Sequence, residues 1–297
     1  LRQEKAMRRL TEILFLAFLL VVPAKAQPNA IAGHVPAFPA RAYGTSPAQR
    51  MDIYLPDSGA RAHHAVLVLQ GVGFRTGSRH MANPALVRAL LARGYAVVTV
   101  DYRLSAEAPF PAAVQDVFAA IAHLRANAET LKLTGKLAVY GESAGANLAT
   151  LAGTAFGDPV FRQDIPDKQA SVRPDGVVAL YPPVDFAQVD PMLRAQGCPA
   201  AQNSHDQYFG AVVASAPEKV ARANPITYLS GSIPAFFIQN GDRDCSVGAG
   251  QGRLLAQALE KWGLRVTYQA LPGAGHGGPA FETTENIERI IAFLDAH

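Results

Sequence analysis

Leu137-Ala138-Val139-Tyr140-Gly141-Glu142-Ser143-Ala144-Gly145-Ala146-Asn147-Leu148 passes from a short apolar run, through Gly-x-Ser-x-Gly, into a helical pattern of small residues. A serine hydroxyl is a weak nucleophile unless it is exposed, aimed and paired with a base. A sharp strand-to-helix turn does the aiming, lifting Ser143 above the end of the strand. Gly141 and Gly145 suit that turn because a Cβ at either place would collide within it. The helix that follows offers the Ala144 N–H to a developing oxyanion. A bare Gly-x-Ser-x-Gly arises often by chance; the strand before it and the helix after it make this one specific.

Partners for such a serine are sought past the carboxyl ends of later strands, in the order acid then histidine. After the apolar run 235–239 comes Asn240-Gly-Asp242-Arg-Asp244-Cys-Ser-Val247. After 266–270 comes Leu271-Pro-Gly-Ala-Gly-His276-Gly-Gly, a glycine-rich loop that gives an imidazole reach. His34, His63, His64, His80 and His297 are read into loops or near the ends, His123 onto a helix, and His205 into an insertion. His276 is therefore the candidate base. Asp242 and Asp244 share the acid loop. Asp244 is favoured as the group that orients the imidazole, with Asp242 a turn residue bonded within its own loop. Val66-Leu-Val-Leu-Gln70-Gly71-Val72-Gly73-Phe74 ends an early strand, and its Val72 and Gly73 N–H groups are candidates to join Ala144 in an oxyanion hole. A plain glycine-rich turn is the alternative there.

Working outward, short apolar runs at 51–55, 65–70, 96–100, 137–140, 177–181, 235–239 and 266–270 alternate with helical patterns at 83–93, 112–128, 144–156, 250–262 and 284–295. Strands apolar on both faces belong to a mostly parallel sheet covered by helices on either side. On 112–128, Val114, Val117, Phe118, Ile121 and Leu124 fall on one face. The expectation is one doubly wound α/β domain over 27–297, with about eight strands. Residues 186–230 interrupt the alternation with Pro191, Pro199, Pro217 and Pro225 and one short helical pattern near 217–223. They are expected to form a small cap which, with Phe74 and Arg75, shapes the substrate site; an inconsequential surface excursion is the alternative.

The chain has 297 residues, 49% hydrophobic and 17% charged, which supports a sizeable core. Met7-Arg8-Arg9, the apolar run 13–22 and Ala24-Lys25-Ala26 read as a cleavable secretory signal over 1–26, with 1–6 as candidate readthrough upstream of the true start. The apolar run is too short for a permanent span. Five of the 27 Lys/Arg and two of the 24 Asp/Glu fall in that segment, so the remainder balances at 22 of each. A neutral mature chain without a basic block argues against nucleic acid as a partner, and no stable membrane association is expected. Export to the periplasm or medium would let Cys198 and Cys245 form a bridge, but two free buried thiols fit the sequence equally. No Cys/His pattern calls for a metal, and nothing calls for a cofactor.

With these residues in place, the chain resembles α/β-hydrolase esterases of the hormone-sensitive-lipase and bacterial feruloyl-esterase-like (BD-FAE) groups, from about residue 48 onward. Asp101-Tyr-Arg-Leu-Ser-Ala-Glu-Ala-Pro-Phe-Pro-Ala-Ala-Val-Gln-Asp116 looks like the lipase group's segment after its fourth strand. Gly241-Asp-Arg-Asp244-Cys-Ser-Val247 looks like a Gly-x-x-Asp-x-x-Val acid loop, which supports Asp244. Asn224-Pro-Ile-Thr-Tyr-Leu is similar to the stretch before that loop in the feruloyl-esterase-like group. The groups' His-Gly-Gly-Gly reads Gln70-Gly71-Val72-Gly73 here; a β-branched Val72 stands for a glycine, and the Gln70 amide is a candidate to replace the histidine's support. Only about two dozen residues separate the expected cleavage site from the first strand, too few for the lipase group's helical cap. The resemblance implies a small-molecule ester substrate, with short or aromatic acyl groups, including those on carbohydrates. An amide hydrolase (aryl-formamidase or peptidase) on the same triad and an inactive binding protein of the same fold are the rival readings.

Overall fold

Strands buried on both faces have no polar side to offer water, and the apolar runs of this chain build one eight-stranded sheet. The computed structural model describes residues 30–57, 59, 61–200 and 204–297; the leader expected over 1–26 lies outside them. The strands are β1 (Phe38–Ala42), β2 (Arg50–Tyr54), β3 (His63–Leu69), β4 (Ala96–Val100), β5 (Leu133–Glu142), β6 (Gly176–Leu180), β7 (Ala235–Gly241) and β8 (Val266–Leu271). They lie in the order β1-β2-β4-β3-β5-β6-β7-β8. β2 is antiparallel to both β1 and β4, and every pairing from β4 through β8 is parallel.

The period of two explains the unbroken apolar runs. Leu67 and Leu69 of β3, Val98 of β4, Val139 of β5, Val177 of β6 and Phe236 of β7 enter one apolar layer. Their neighbours Val66, Val68, Val97, Tyr140, Val178 and Phe237 enter the other. Each strand feeds two cores, so both faces must be apolar. The first layer is covered by α2 (Ala112–Ala126), α3 (Ala144–Thr154) and α7 (Gly250–Lys261), the second by α1 (Pro84–Arg93) and α9 (Thr284–Asp295). α1 begins where its Asn83 side chain accepts from the Ala85 and Leu86 N–H groups, and ends at Gly94 with φ 97°. α2 is buried nearly all round, so its expected one-sided stripe understates its contacts.

Three expectations need correction. β1 was not foreseen: Phe-Pro-Ala-Arg-Ala carries no alternation, and the strand is a bulged edge on which Ala40 has φ 48°. His63 and His64 begin β3 and are not loop residues. The 186–230 segment is more regular than a loop with one helix. It holds α4 (Phe186–Ala195), α5 (Ser204–Phe209) and α6 (Pro217–Arg222), with 3-10 turns at Val213–Ser215 and Pro225–Tyr228. α4 is capped by the Asp185 carboxylate and buries Phe186, Val189 and Leu193. A short helix, α8 (Pro279–Glu282), precedes α9.

Candidate active site

Parallel strands end on one rim, and there the loops after β3, β5, β7 and β8 converge. Ser143 follows β5 with φ 51° and ψ −118°, a conformation that L-residues avoid at a cost of about 1–3 kcal/mol. The turn is tight on every side. A Cβ on Gly141 would meet the Gly145 carbonyl oxygen at 2.1 Å, and one on Gly145 would meet the Leu69 oxygen at 2.2 Å. Both glycines are thus required by close approach.

His276 Nε2 lies 2.7 Å from Ser143 Oγ, and His276 Nδ1 lies 2.7 Å from Asp244 Oδ2. Asp244 is fully buried, and its Oδ1 accepts from the N–H groups of Ser246 at 2.8 Å and Val247 at 3.1 Å. Burial pushes this carboxyl upward, but the hydrogen bond and charge of His276 and the two backbone donors outweigh it and hold the group below the usual carboxylate range. An ionised carboxylate only accepts, so the Nδ1 facing it carries the proton and Nε2 presents its lone pair to the serine hydroxyl. Asp242 is exposed and takes no part. It accepts from the Gly273 N–H at 2.7 Å, bonding the neighbouring loop and not its own as expected.

The loop after β3 lies against the serine turn. A Cβ on Gly71 would strike the Glu142 carbonyl oxygen at 1.9 Å and approach the Ser143 Cβ at 2.8 Å, so this contact admits only glycine. The left-handed positions of the loop are Gly73 at φ 62° and Phe74 at φ 61°, while Val72 is not among them, so its β-branch meets no backbone penalty. Among the described residues the N–H groups of Val72, Gly73 and Ala144 donate to no other group, and all three residues border one cavity with Ser143.

Gln70 does not brace this loop with its amide, since neither amide atom has a partner among the described residues. The Asp101–Asp116 motif does the bracing. Tyr102 Oη donates to the Gln70 carbonyl at 2.9 Å, and Ser105 N–H donates to the Phe74 carbonyl at 2.8 Å. Arg103 Nη2 is 2.6 Å from the fully buried Asp116 Oδ1, which also accepts from Gln49 Nε2 at 2.7 Å. Phe74 borders the cavity but is only 1% exposed; its ring stacks on Tyr208 at 3.7 Å and so fastens the loop to α5. Arg75 stays exposed at the cavity edge.

The cavity measures about 610 Å³. Its border includes residues that sequence reasoning passed over. Glu142 accepts from Tyr140 Oη at 2.6 Å and Tyr181 Oη at 3.2 Å. Burial and the Glu142 carboxylate push both phenols up, so both remain donors. Tyr181 meets the His276 ring edge-on at 4.7 Å. Glu282 comes from α8, and His205 from the cap. Cys198 and Cys245 form a disulfide, Cα–Cα 5.4 Å, which ties the 186–230 segment to the residue after Asp244. Among the described residues no group of acids, histidines and cysteines could hold a metal, and no helix is long and apolar enough to cross a membrane.

The model of the BD-FAE family matches residues 51–259, which include Ser143 and Asp244. The chain belongs to the BD-FAE family. This BD-FAE chain is 30% identical over 245 residues to esterase LipC of Mycobacterium tuberculosis, an alignment covering 79% of the chain and 58% of LipC. It spans 54 to 58% of the length of the first curated relatives it matches. A truncated carbohydrate esterase from gut microbiota superposes with TM-score 0.79 at 25% identity, over 90% of this chain and 98% of that one. A bifunctional GH43-CE protein of Bacteroides eggerthii superposes with TM-score 0.80 at 28% identity, over 87% of this chain and 35% of the other. The fold is that of the α/β-hydrolases.

Proposed function

We propose that this BD-FAE chain is a serine carboxylic-ester hydrolase that works through an acyl-enzyme. The reading rests above all on the unbroken relay from Ser143 through His276 to a buried Asp244, with both links at 2.7 Å. As Ser143 Oγ attacks the ester carbonyl, His276 Nε2 takes its proton. The carbonyl oxygen becomes an oxyanion beside the free N–H groups of Val72, Gly73 and Ala144, where one such donor is worth about 10²–10³ in kcat. His276 returns the proton to the alcohol oxygen as the C–O bond breaks. Water then attacks the acyl-serine by the same steps and releases the acid.

Short or aromatic acyl esters, including those on sugars, are the proposed substrates. A cavity of about 610 Å³ suits a small ligand. Its border supplies acceptors in Glu142 and Glu282 and a cation in Arg75, and a polyhydroxy alcohol needs such partners. The carbohydrate esterase among the structural neighbours points the same way. We extend the proposal to export through the 1–26 leader, which the mass of the secreted protein would test.

Ser143→Ala is expected to lower kcat by several orders of magnitude with an unchanged melting curve. Activity within about tenfold of the parent would remove the serine from the reaction. Matched ester and amide substrates should show the ester strongly preferred, and a panel of acetylated and feruloylated sugars identifies the acyl group.

A further inference from the structure

His205, near the start of α5, stands between two cavities. One is the cleft of about 610 Å³ over Ser143. The other, about 650 Å³, is bordered by α4 and α6, and its lining combines apolar residues such as Val189, Val213 and Val220 with the acids Asp185, Asp190 and Asp206 and with Arg194. Among the described residues, His205 is the one that both linings share. Its ring meets Phe186 edge-on at 5.0 Å. Phe186 is itself held, 3% exposed, against Phe209 at 5.1 Å and Tyr208 at 5.9 Å. Among the described residues, the imidazole that the two linings share is therefore backed by a fixed aromatic ring.

We infer that His205 determines how far a substrate reaches into the cap, ending the ester's arm at its ring and closing off the second cavity. The inference rests on the Ser143-centred ester hydrolysis proposed above. Burial, with the nearby His276, pushes the His205 imidazole down to about 4 against the opposing pull of Asp190 and Asp206. The ring is then neutral near pH 7 and sets no charge against an apolar chain. Truncating it joins the cleft to a space where Val189, Val213 and Val220 offer apolar surface between the polar groups. A longer chain gains burial there, and each buried methylene is worth about fourfold in affinity.

The test measures kcat/KM for the wild type, His205→Ala and His205→Val, each normalised to the same variant's rate on the acetate ester. One substrate series lengthens the acyl chain of p-nitrophenyl esters; the other lengthens the alcohol of acetate esters. The wild type should decline beyond a short chain. His205→Ala should instead gain about fourfold per methylene beyond that point, in one of the two series. His205→Val should gain less, which provides a second reading if the alanine variant folds poorly. Adding Val213→Trp to His205→Ala, to fill the cap cavity, should cancel the gain. Folded His205 variants that hydrolyse acetate with the parental profile in both series overturn the inference. So does a gain that survives the filled cap. A wild type inactive on every ester would count against the ester-hydrolase reading, a separate failure.

Discussion

Asp244→Asn tests the hydrogen-bond logic of the site with almost no change in volume. Oδ1 of Asp244 accepts two backbone N–H bonds, from Ser246 and Val247, and Oδ2 faces His276 Nδ1. An asparagine must keep its oxygen towards the two backbone donors, because turning its NH₂ there would set donor against donor twice in a fully buried place. Its NH₂ therefore faces Nδ1. Nδ1 must then be the acceptor, the imidazole proton moves to Nε2, and Nε2 can no longer take a proton from Ser143. The analogous swap in serine proteases costs about 10⁴ in kcat, or about 5.4 kcal/mol of barrier. Stability should fall far less, by about 1.5–3 kcal/mol for the lost charge-assisted bond. Steady-state hydrolysis of a chromogenic acetate, read beside a urea melt, separates the two. Asp242→Asn is the control and should stay within about threefold of the parent, since Asp242 is exposed and, among the described residues, its carboxylate accepts only from Gly273. Asp244→Asn activity within about tenfold of the parent would refute the tautomer argument.

Other outcomes follow from the same geometry. Gly71→Ala places a Cβ 1.9 Å from the Glu142 carbonyl oxygen, so the donor loop must retreat from Ser143; kcat should fall about 10²–10³, and the backbone clash should also cost about 1–3 kcal/mol in the melt. Arg103→Leu takes the counter-charge from the fully buried Asp116 carboxylate, leaving it the Gln49 amide and the residue-103 N–H, and should cost about 3 kcal/mol in denaturant unfolding. Replacing Cys198 and Cys245 by serine opens a loop with sequence separation 47, and chain entropy sets the loss at about 4 kcal/mol. The same variant should raise KM more than it lowers kcat, because Pro199 and Ala200 of the tethered cap segment border the cleft. Acidification should erode the Asp244 contribution progressively once pH drops below the ordinary carboxyl value, down to the depressed value of the folded state. That contribution is present above the unfolded carboxyl value and lost as pH falls through the folded one, which acid unfolding of Asp244→Asn against the parent would reveal.

The parts of this molecule legible in its sequence are those where local chemistry and tertiary demand agree. The apolar runs of β3 to β7 could only be strands covered twice, and the glycines around Ser143 are explained by carbonyls at 2.1 and 2.2 Å. Asp244 and His276 follow strands that the pattern already located. The unread parts depend on neighbours far along the chain. β1 is an edge whose only local mark is a proline. α4 has its cap residue and apolar spacing in the sequence, but Pro191 inside it argued against a helix. The support of the loop after β3 comes from Tyr102 and Ser105, more than 30 residues away, and not from the Gln70 amide beside it. Glu142 stands at a variable position of the Gly-x-Ser-x-Gly motif, which says nothing of its partners, while Tyr181, Glu282 and His205 carry no local motif that marks them for the cleft; folding alone gathers them. The disulfide was undecidable until two Cα atoms 47 positions apart were seen 5.4 Å from each other.

The central claim is that Ser143 is an activated nucleophile, and treatment with a fluorophosphonate followed by peptide mass analysis tests it most directly. One phosphonyl adduct is expected, on the peptide containing Ser143, lost in Ser143→Ala and slowed in Asp244→Asn. A wild-type protein that stays unlabelled, or that carries its label on another residue, would contradict it.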